Sequence, residues 1–265
     1  MSLRTAAAHR NLLYLLSLKE LRTRYKKSIL GWAWSLLNPL SQMVIFTVIF
    51  TYVFKAVPVP GDPSGLKAFP LYFLAGVLPF NFFSISVGTA IGSVQGGASL
   101  IKKVQFPTEH LVFSVVIAQF VTLLIELSLL TVVLLFVGNM VLPWLPVLMV
   151  VLLLLAIFSA GIGLTLSAAN VFYHDVNYLW GILSQILFYA TPVIYFPATL
   201  QFHPLRVLAN YGPTGAFITA VHDVMYDLRF PGPGRLALLT VYAFGAFIVG
   251  SWVFARLAPK FAEEM

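Results

Sequence analysis

Few residues in this chain have the chemistry to act on a substrate, and their spacing limits what they could do. Gln119, Thr122 and Glu126 fall on one helical face inside a long apolar run. A carboxylate in such a run is costly and points into a bundle or an aqueous path. Glu126 is therefore either a proton-coupling group or a buried, hydrogen-bonded structural acid. No second acid in an apolar run pairs with it, which favours the structural role. His203, His222 and Asp223 could together point to hydrolysis, yet residues 197–235 hold no serine, and Thr199, Thr214 and Thr219 sit in no nucleophile motif. The chain has no Gly-x-Ser-x-Gly elbow and no His-Glu-x-x-His zinc motif. Gly92-Ser-Val-Gln-Gly-Gly97 comes nearest to a phosphate loop and lacks its Lys. There are no cysteines. Hydrolysis of ATP, thiol chemistry and a protein-held metal are all unexpected here.

The elements that must position these residues follow from composition. Of 265 residues, 60% are apolar and 9% charged, against about 45–50% and roughly 25% in ordinary soluble domains. Too little polar surface remains to cover a water-soluble globule, so an all-α integral membrane protein is expected, forming one transmembrane domain over 1–265. A spanning helix needs about 20 apolar residues. Six candidates are found, at about 36–54, 69–93, 111–137, 147–169, 179–196 and 236–257. Ser84, Gly88 and Gly92, and again Ser159, Gly163 and Ser167, recur at four-residue spacing, which suits close helix approach. Pro79 and Asn81 interrupt the second span. Residues 197–235 carry apolar stretches too short to span, broken by Pro204, Gly212, Pro213 and Gly215. They are expected to form re-entrant helices between spans 5 and 6.

Charge sets the orientation. Lys and Arg number 16 against 9 acids, a net charge of +7. Seven of them (Arg4, Arg10, Lys19, Arg22, Arg24, Lys26 and Lys27) precede the first span, and no removable signal peptide is expected. With both termini inside, eleven basic residues lie on the cytoplasmic side against five outside, as the positive-inside bias requires. Tyr14, Leu18, Leu21, Tyr25 and Ile29 fall on one stripe, which predicts an amphipathic interface helix over 9–34. Trp32 and Trp34 follow at interfacial depth. Arg22, Arg24, Lys26 and Lys27 on this helix fit two roles. They could fix topology against anionic lipid head groups, or also attract an anionic lipid-linked substrate. Nucleic acid is not an expected partner.

The run from Lys19 to Pro39, with Arg-Tyr-Lys-x-Ser-x-Leu-Gly, a Trp-Ser pair and a Pro opening the first span, resembles the amino-terminal signature of polysaccharide-exporting ABC transporter permeases. These are type-2 ABC exporter membrane subunits for O-antigen, capsule or teichoic-acid chains. The resemblance implies a homodimer working with two copies of a separate ATP-binding cassette ATPase, which would bind ATP and Mg; no cofactor is expected in this chain. It also implies a multi-pass protein of a bacterial inner membrane, handling an undecaprenyl-type lipid-linked polysaccharide. Over 96–110, Leu100, Ile101, Lys102, Lys103 and Val104 match the coupling helix that docks on the ATPase, with Ser99 as its cap and Pro107 as its stop. The pyrophosphate head would be held by Arg22, Arg24, Lys26 and Lys27. Asp175 matches a family acid expected to order the cytoplasmic gate, while His174 stands where Arg is usual. Asn210-Tyr-Gly-Pro213 and His222-Asp223 also depart from the family pattern. Phe80, Phe82, Phe83, Tyr178, Trp180 and Tyr189 are candidates to line a channel, since sugar C–H faces stack on aromatic rings. Export of a drug or small lipid is the alternative, with ion-coupled secondary transport through Glu126 behind it.

Overall fold

A computed structural model describes residues 3–24, 33–53, 59–103 and 106–264, and these contain helices and no strand. In chain order they are α1 (Leu3–Arg24), α2 (Ala33–Thr47, continued by a π-helical turn Val48–Val53), α3 (Phe69–Gly96), α4 (Ala98–Ile101), α5 (Glu109–Phe136), α6 (Leu145–Phe172), α7 (Val176–Ala190), α8 (His203–Tyr211), α9 (Pro213–Met225), α10 (Pro233–Leu257) and α11 (Phe261–Glu264). Proline occupies one of the first two positions in α3, α6, α8, α9 and α10. Its fixed φ and missing N–H are harmless there, which is why these starts are legible in the sequence. Gly232, at φ 84°, supplies the left-handed turn that delivers the chain into α10.

Among the described residues, four helical segments are long and apolar enough to cross a membrane: Phe69–Gly96, Glu109–Phe136, Leu142–Phe172 and Pro233–Lys260. These correspond to the second, third, fourth and sixth expected spans. The first expected span is divided into 15 residues of α-helix and 6 of π-helix. The fifth is a helix of only 15 residues, ending at Ala190 rather than 196. Pro79 is buried inside α3, which runs on through it without interruption.

α3 and α6 form the centre of the bundle. α3 packs on α2, α5, α6, α7 and α9, while α10 lies along α6 and α1 along α5. A ladder of rings, Phe83 to Phe158 at 5.4 Å and Phe158 to Phe217 at 5.5 Å, joins α3, α6 and α9. α9 is enclosed along its length: every residue from Thr214 to Met225 is buried. α1 differs from the expected stripe. Leu16 and Ser17 face inward, and Tyr14 and Leu15 stand exposed.

α6 and α10 approach each other closely. A Cβ on Gly250 would lie 2.1 Å from the Gly161 carbonyl oxygen, and one on Gly161 would lie 2.4 Å from the Ala246 carbonyl carbon. Of the small residues singled out by spacing, Gly163 sits where an added Cβ would lie 3.1 Å from that of Ala90, while Gly92 faces open space. Gly250→Val is therefore expected to force the two helices apart and destabilise the fold by about 1–3 kcal/mol. Gly92→Ala should change stability by less than about 0.5 kcal/mol. Unfolding midpoints in lipid nanodiscs check both.

Candidate functional site

Two clusters of polar residues stand at opposite ends of the bundle. At the end bearing α8 and α9, the buried Asp223 is the hub. Its Oδ1 accepts two bonds from Arg229, one from Nε at 2.7 Å and one from Nη2, and its Oδ2 accepts from Arg235 Nη1 at 3.1 Å. The preceding His222 stacks on Tyr72, with ring centres 3.8 Å apart, and its Nε2 lies 3.0 Å from the Tyr72 carbonyl oxygen. Tyr226 donates its hydroxyl to the carbonyls of Leu66 (2.7 Å) and Val59 (3.0 Å). Ser64 in turn donates to the Tyr226 carbonyl at 2.6 Å. Asn139 donates to the Met225 carbonyl at 2.8 Å. One turn of α9 thus ties together the 59–68 loop, the start of α3, the turn after α5 and the start of α10.

Asp227 completes this cluster. Its Oδ1 accepts from the Asp62 backbone N–H at 3.2 Å, and its Oδ2 lies 3.4 Å from Arg229. Burial pushes its carboxyl up from the ordinary 3.8 to about 6, with the charges of Asp223 and Asp62 adding to the rise and Arg229 opposing it. The folded protein therefore holds this proton more tightly than the unfolded chain does. That stabilisation is complete below about pH 4 and is lost as pH rises through about 6. Unfolding midpoints measured from pH 4 to 7 are expected to fall over this window relative to Asp227→Asn, which cannot ionise. A difference curve that stays flat would contradict this assignment.

The opposite end carries α4. This helix starts at Ala98, two residues before the expected Leu100, and Gly97 rather than Ser99 occupies the cap position. A Cβ on Gly97 would lie 2.6 Å from a Leu111 methyl, so a larger residue there would have to displace that side chain. Leu100 and Ile101 are half-buried, Lys102 and Lys103 are exposed, and Val104 lies outside the described residues. Directly before α4, the amides of Gln95 and Asn170 clasp the ends of α3 and α6. Gln95 Nε2 donates to the Asn170 carbonyl at 3.0 Å, and Asn170 Nδ2 donates to Gln95 Oε1 at 3.1 Å. Sequence reading passed over this pair. An amide at each end of two neighbouring apolar runs was the available signal.

The other expected site residues are scattered. Arg22 is exposed near the end of α1, Arg24 is its last residue, and Lys26 and Lys27 lie outside the described residues. A cleft of about 440 Å³ opens beside α1, with Lys19 and Glu20 on one wall, Gly92 and Ser93 on the other, and Asn177 of α7 at its edge. Asp175 is exposed and forms no ion pair among the described residues. Phe80, Phe82, Phe83 and Trp180 are buried in the core, Trp180 donating to the Ser84 carbonyl at 3.1 Å. Tyr178 and Tyr189 are exposed on α7. Glu126 lines a small cavity of about 30 Å³ between α5, α2 and α3, with Leu40, Met43 and Leu78.

Among the described residues, four helices long and apolar enough to cross a membrane, two of them (α3 and α6) joined at one end by Gln95 and Asn170, describe a multi-pass membrane protein. The chain belongs to the ABC-2 type transporter family, whose pattern it matches over residues 11–226. It is a multi-pass membrane permease, and this family implies an ATP-binding cassette partner to hydrolyse ATP. Its relatives include the O-antigen export system permease protein RfbA of Myxococcus xanthus, 29% identical over 259 residues, covering 97% of this chain and 96% of that protein. A Klebsiella pneumoniae protein of the same description is 27% identical over 257 residues, covering 96% and 94%. The polysialic acid transport protein KpsM of Escherichia coli is 34% identical over 86 residues, covering 32% and 31%.

Proposed function

We propose that this chain is the membrane subunit of an ATP-driven exporter that carries a lipid-linked polysaccharide across the cytoplasmic membrane. The observation that carries the proposal is end-to-end similarity to two O-antigen export permeases, which covers 97% and 96% of this chain. In this reading the α4 end is cytoplasmic, where Lys102 and Lys103 add to the basic excess, and the Asp223 cluster faces outward. The six-span reading is supported by the continuity of α2 with its π-helical turn, since 21 residues at about 1.5 Å each reach roughly the 30 Å of a bilayer core. α8 and α9 act as the re-entrant pair that closes the outer end.

Two copies pair, each with an ATPase subunit. The face of α7 supports this arrangement, since Tyr178, Leu179, Ile182, Ile186 and Tyr189 are exposed and only Trp180 is buried. Tyr178 and Tyr189 would then meet the sugar chain directly, while Phe80, Phe82, Phe83 and Trp180 stiffen the wall behind them. The pyrophosphate head is received by Arg22, Arg24, Lys26 and Lys27, next to the cleft that Lys19 lines, and Asp175 orders this cytoplasmic gate. ATP binding in the partner pushes Leu100 to Val104, and the amide clasp passes that push into α3 and α6.

Deleting the gene tests this function. Polymer is expected to vanish from the cell surface and accumulate inside, with return on re-expression. Unchanged surface polymer, together with a new sensitivity to drugs, would replace the polysaccharide by a small amphiphile as substrate.

A further inference from the structure

Beside Asp223 lies a cleft of about 300 Å³, at the lower end of the range of about 300–1,000 Å³ seen for ligand pockets. Three of its lining rings hold one another in place: Tyr72 and Phe196 are 4.0 Å apart between centres, Tyr72 and Tyr226 5.3 Å, and Phe196 and Tyr226 6.3 Å. Hydroxyl bonds from Tyr72 to the Tyr195 carbonyl (3.0 Å) and from Tyr226 to the Leu66 carbonyl (2.7 Å) fix two of them. The wall is preorganised, so a ligand need not pay to order it.

The polar lining is mixed in sign. Arg206, Arg229, Asp62 and Asp227 share the cleft with Asp223. Arg229 and Arg235 already neutralise Asp223. Arg206 and Asp62 are exposed and make no ion pair among the described residues. A phosphate would meet carboxylates here, and a cation would meet guanidinium groups. A neutral polyol can donate to Asp62 and accept from Arg206 while its C–H face lies on Phe196, the partly exposed ring, with the buried Tyr72 and Tyr226 holding that ring from behind.

We propose that this cleft is a saccharide-binding subsite for one or two neutral sugar units. It rests on the polysaccharide-export reading, to which it adds a place where the emerging chain is held on the far side of the membrane. Holding the chain there would disfavour backsliding between power strokes.

Saturation-transfer NMR on the full chain in nanodiscs tests it, with mannotetraose as the neutral probe and tetragalacturonate as the anionic one. Transfer to the C–H protons of mannotetraose is expected. Arg206→Ala and Asp62→Asn should each reduce it by about fivefold, with unfolding midpoints close to the parent's because both side chains are exposed and in no ion pair among the described residues. No transfer, transfer equal in both variants, or binding of tetragalacturonate alone would overturn the subsite. This readout needs no ATPase. Export that fails in cells while mannotetraose still binds would count against the export reading and leave the subsite standing.

Discussion

Asp223→Ala is expected to destabilise the protein more than any other single change at the outer cluster. Asp223 is 3% exposed and accepts from both Arg229 and Arg235. Removing one side of a buried ion pair costs about 3–5 kcal/mol, because the partner charge remains without compensation. The Arg229 side chain is 47% exposed and can return to water, whereas that of Arg235 is 17% exposed and cannot do so fully. The lower end, about 3 kcal/mol, therefore applies, equivalent to a fall in unfolding midpoint of roughly 6–12 °C for a chain of this size. Arg229→Ala should cost only about 1 kcal/mol, since Arg235 still neutralises the carboxylate and the deleted group is half in water. Thermal unfolding in nanodiscs separates the two. Equal losses for both variants would show that Asp223 is not the hub.

The second large effect is expected at α4. No residue of this helix is buried, so replacing Leu100 to Val104 by Gly and Ser should leave the bundle folded. The ATPase partner should no longer co-purify, and export should fall about tenfold or more, which corresponds to at least about 1.4 kcal/mol of lost coupling. Asn170→Leu should act differently. It keeps the docking surface and weakens the clasp, removing the Asn170 Nδ2 bonds to Gln95 Oε1 and the Ile91 carbonyl while the main-chain carbonyl still accepts from Gln95 Nε2. The partner should stay bound and hydrolyse ATP while export falls. If the Gly/Ser segment retains the partner, docking lies elsewhere on the cytoplasmic end.

Much of this architecture was legible in the residues. The long apolar runs marked α3, α5, α6 and α10, and the run from Lys19 to Pro39 carried the family. The depth of α9 was not legible. Thirteen residues are too few to span, and only the surrounding α3, α6 and α10 reveal that the helix is enclosed on all sides. The role of Asp223 was hidden for a related reason. Its partners lie six and twelve residues onward, across a turn, so that helical spacing could not pair them. Reading His222 and Asp223 as a hydrolytic pair failed for want of a nucleophile; the structure makes them a fastening. Aromatic residues gave the least guidance. Phe80, Phe82 and Phe83 are close in sequence and all buried, whereas Tyr178 and Tyr189 are exposed, and no periodicity distinguishes rings facing a core from rings facing a partner or lipid. The apolar stripe expected through Tyr14 on α1 was also misplaced, since contact with α5 selected Leu16 and Ser17 over Tyr14.

The central claim is that this chain forms the path for a lipid-linked polysaccharide driven by a partner's ATP. The most direct test uses inverted membrane vesicles carrying the chain, its ATPase and lipid-linked polymer, with a polymer-degrading glycosidase outside. Addition of ATP is predicted to move polymer into the lumen, where it becomes resistant to the enzyme, and the Gly/Ser replacement at Leu100 to Val104 should abolish that protection. Polymer that remains fully degradable with ATP and both proteins present would contradict the account.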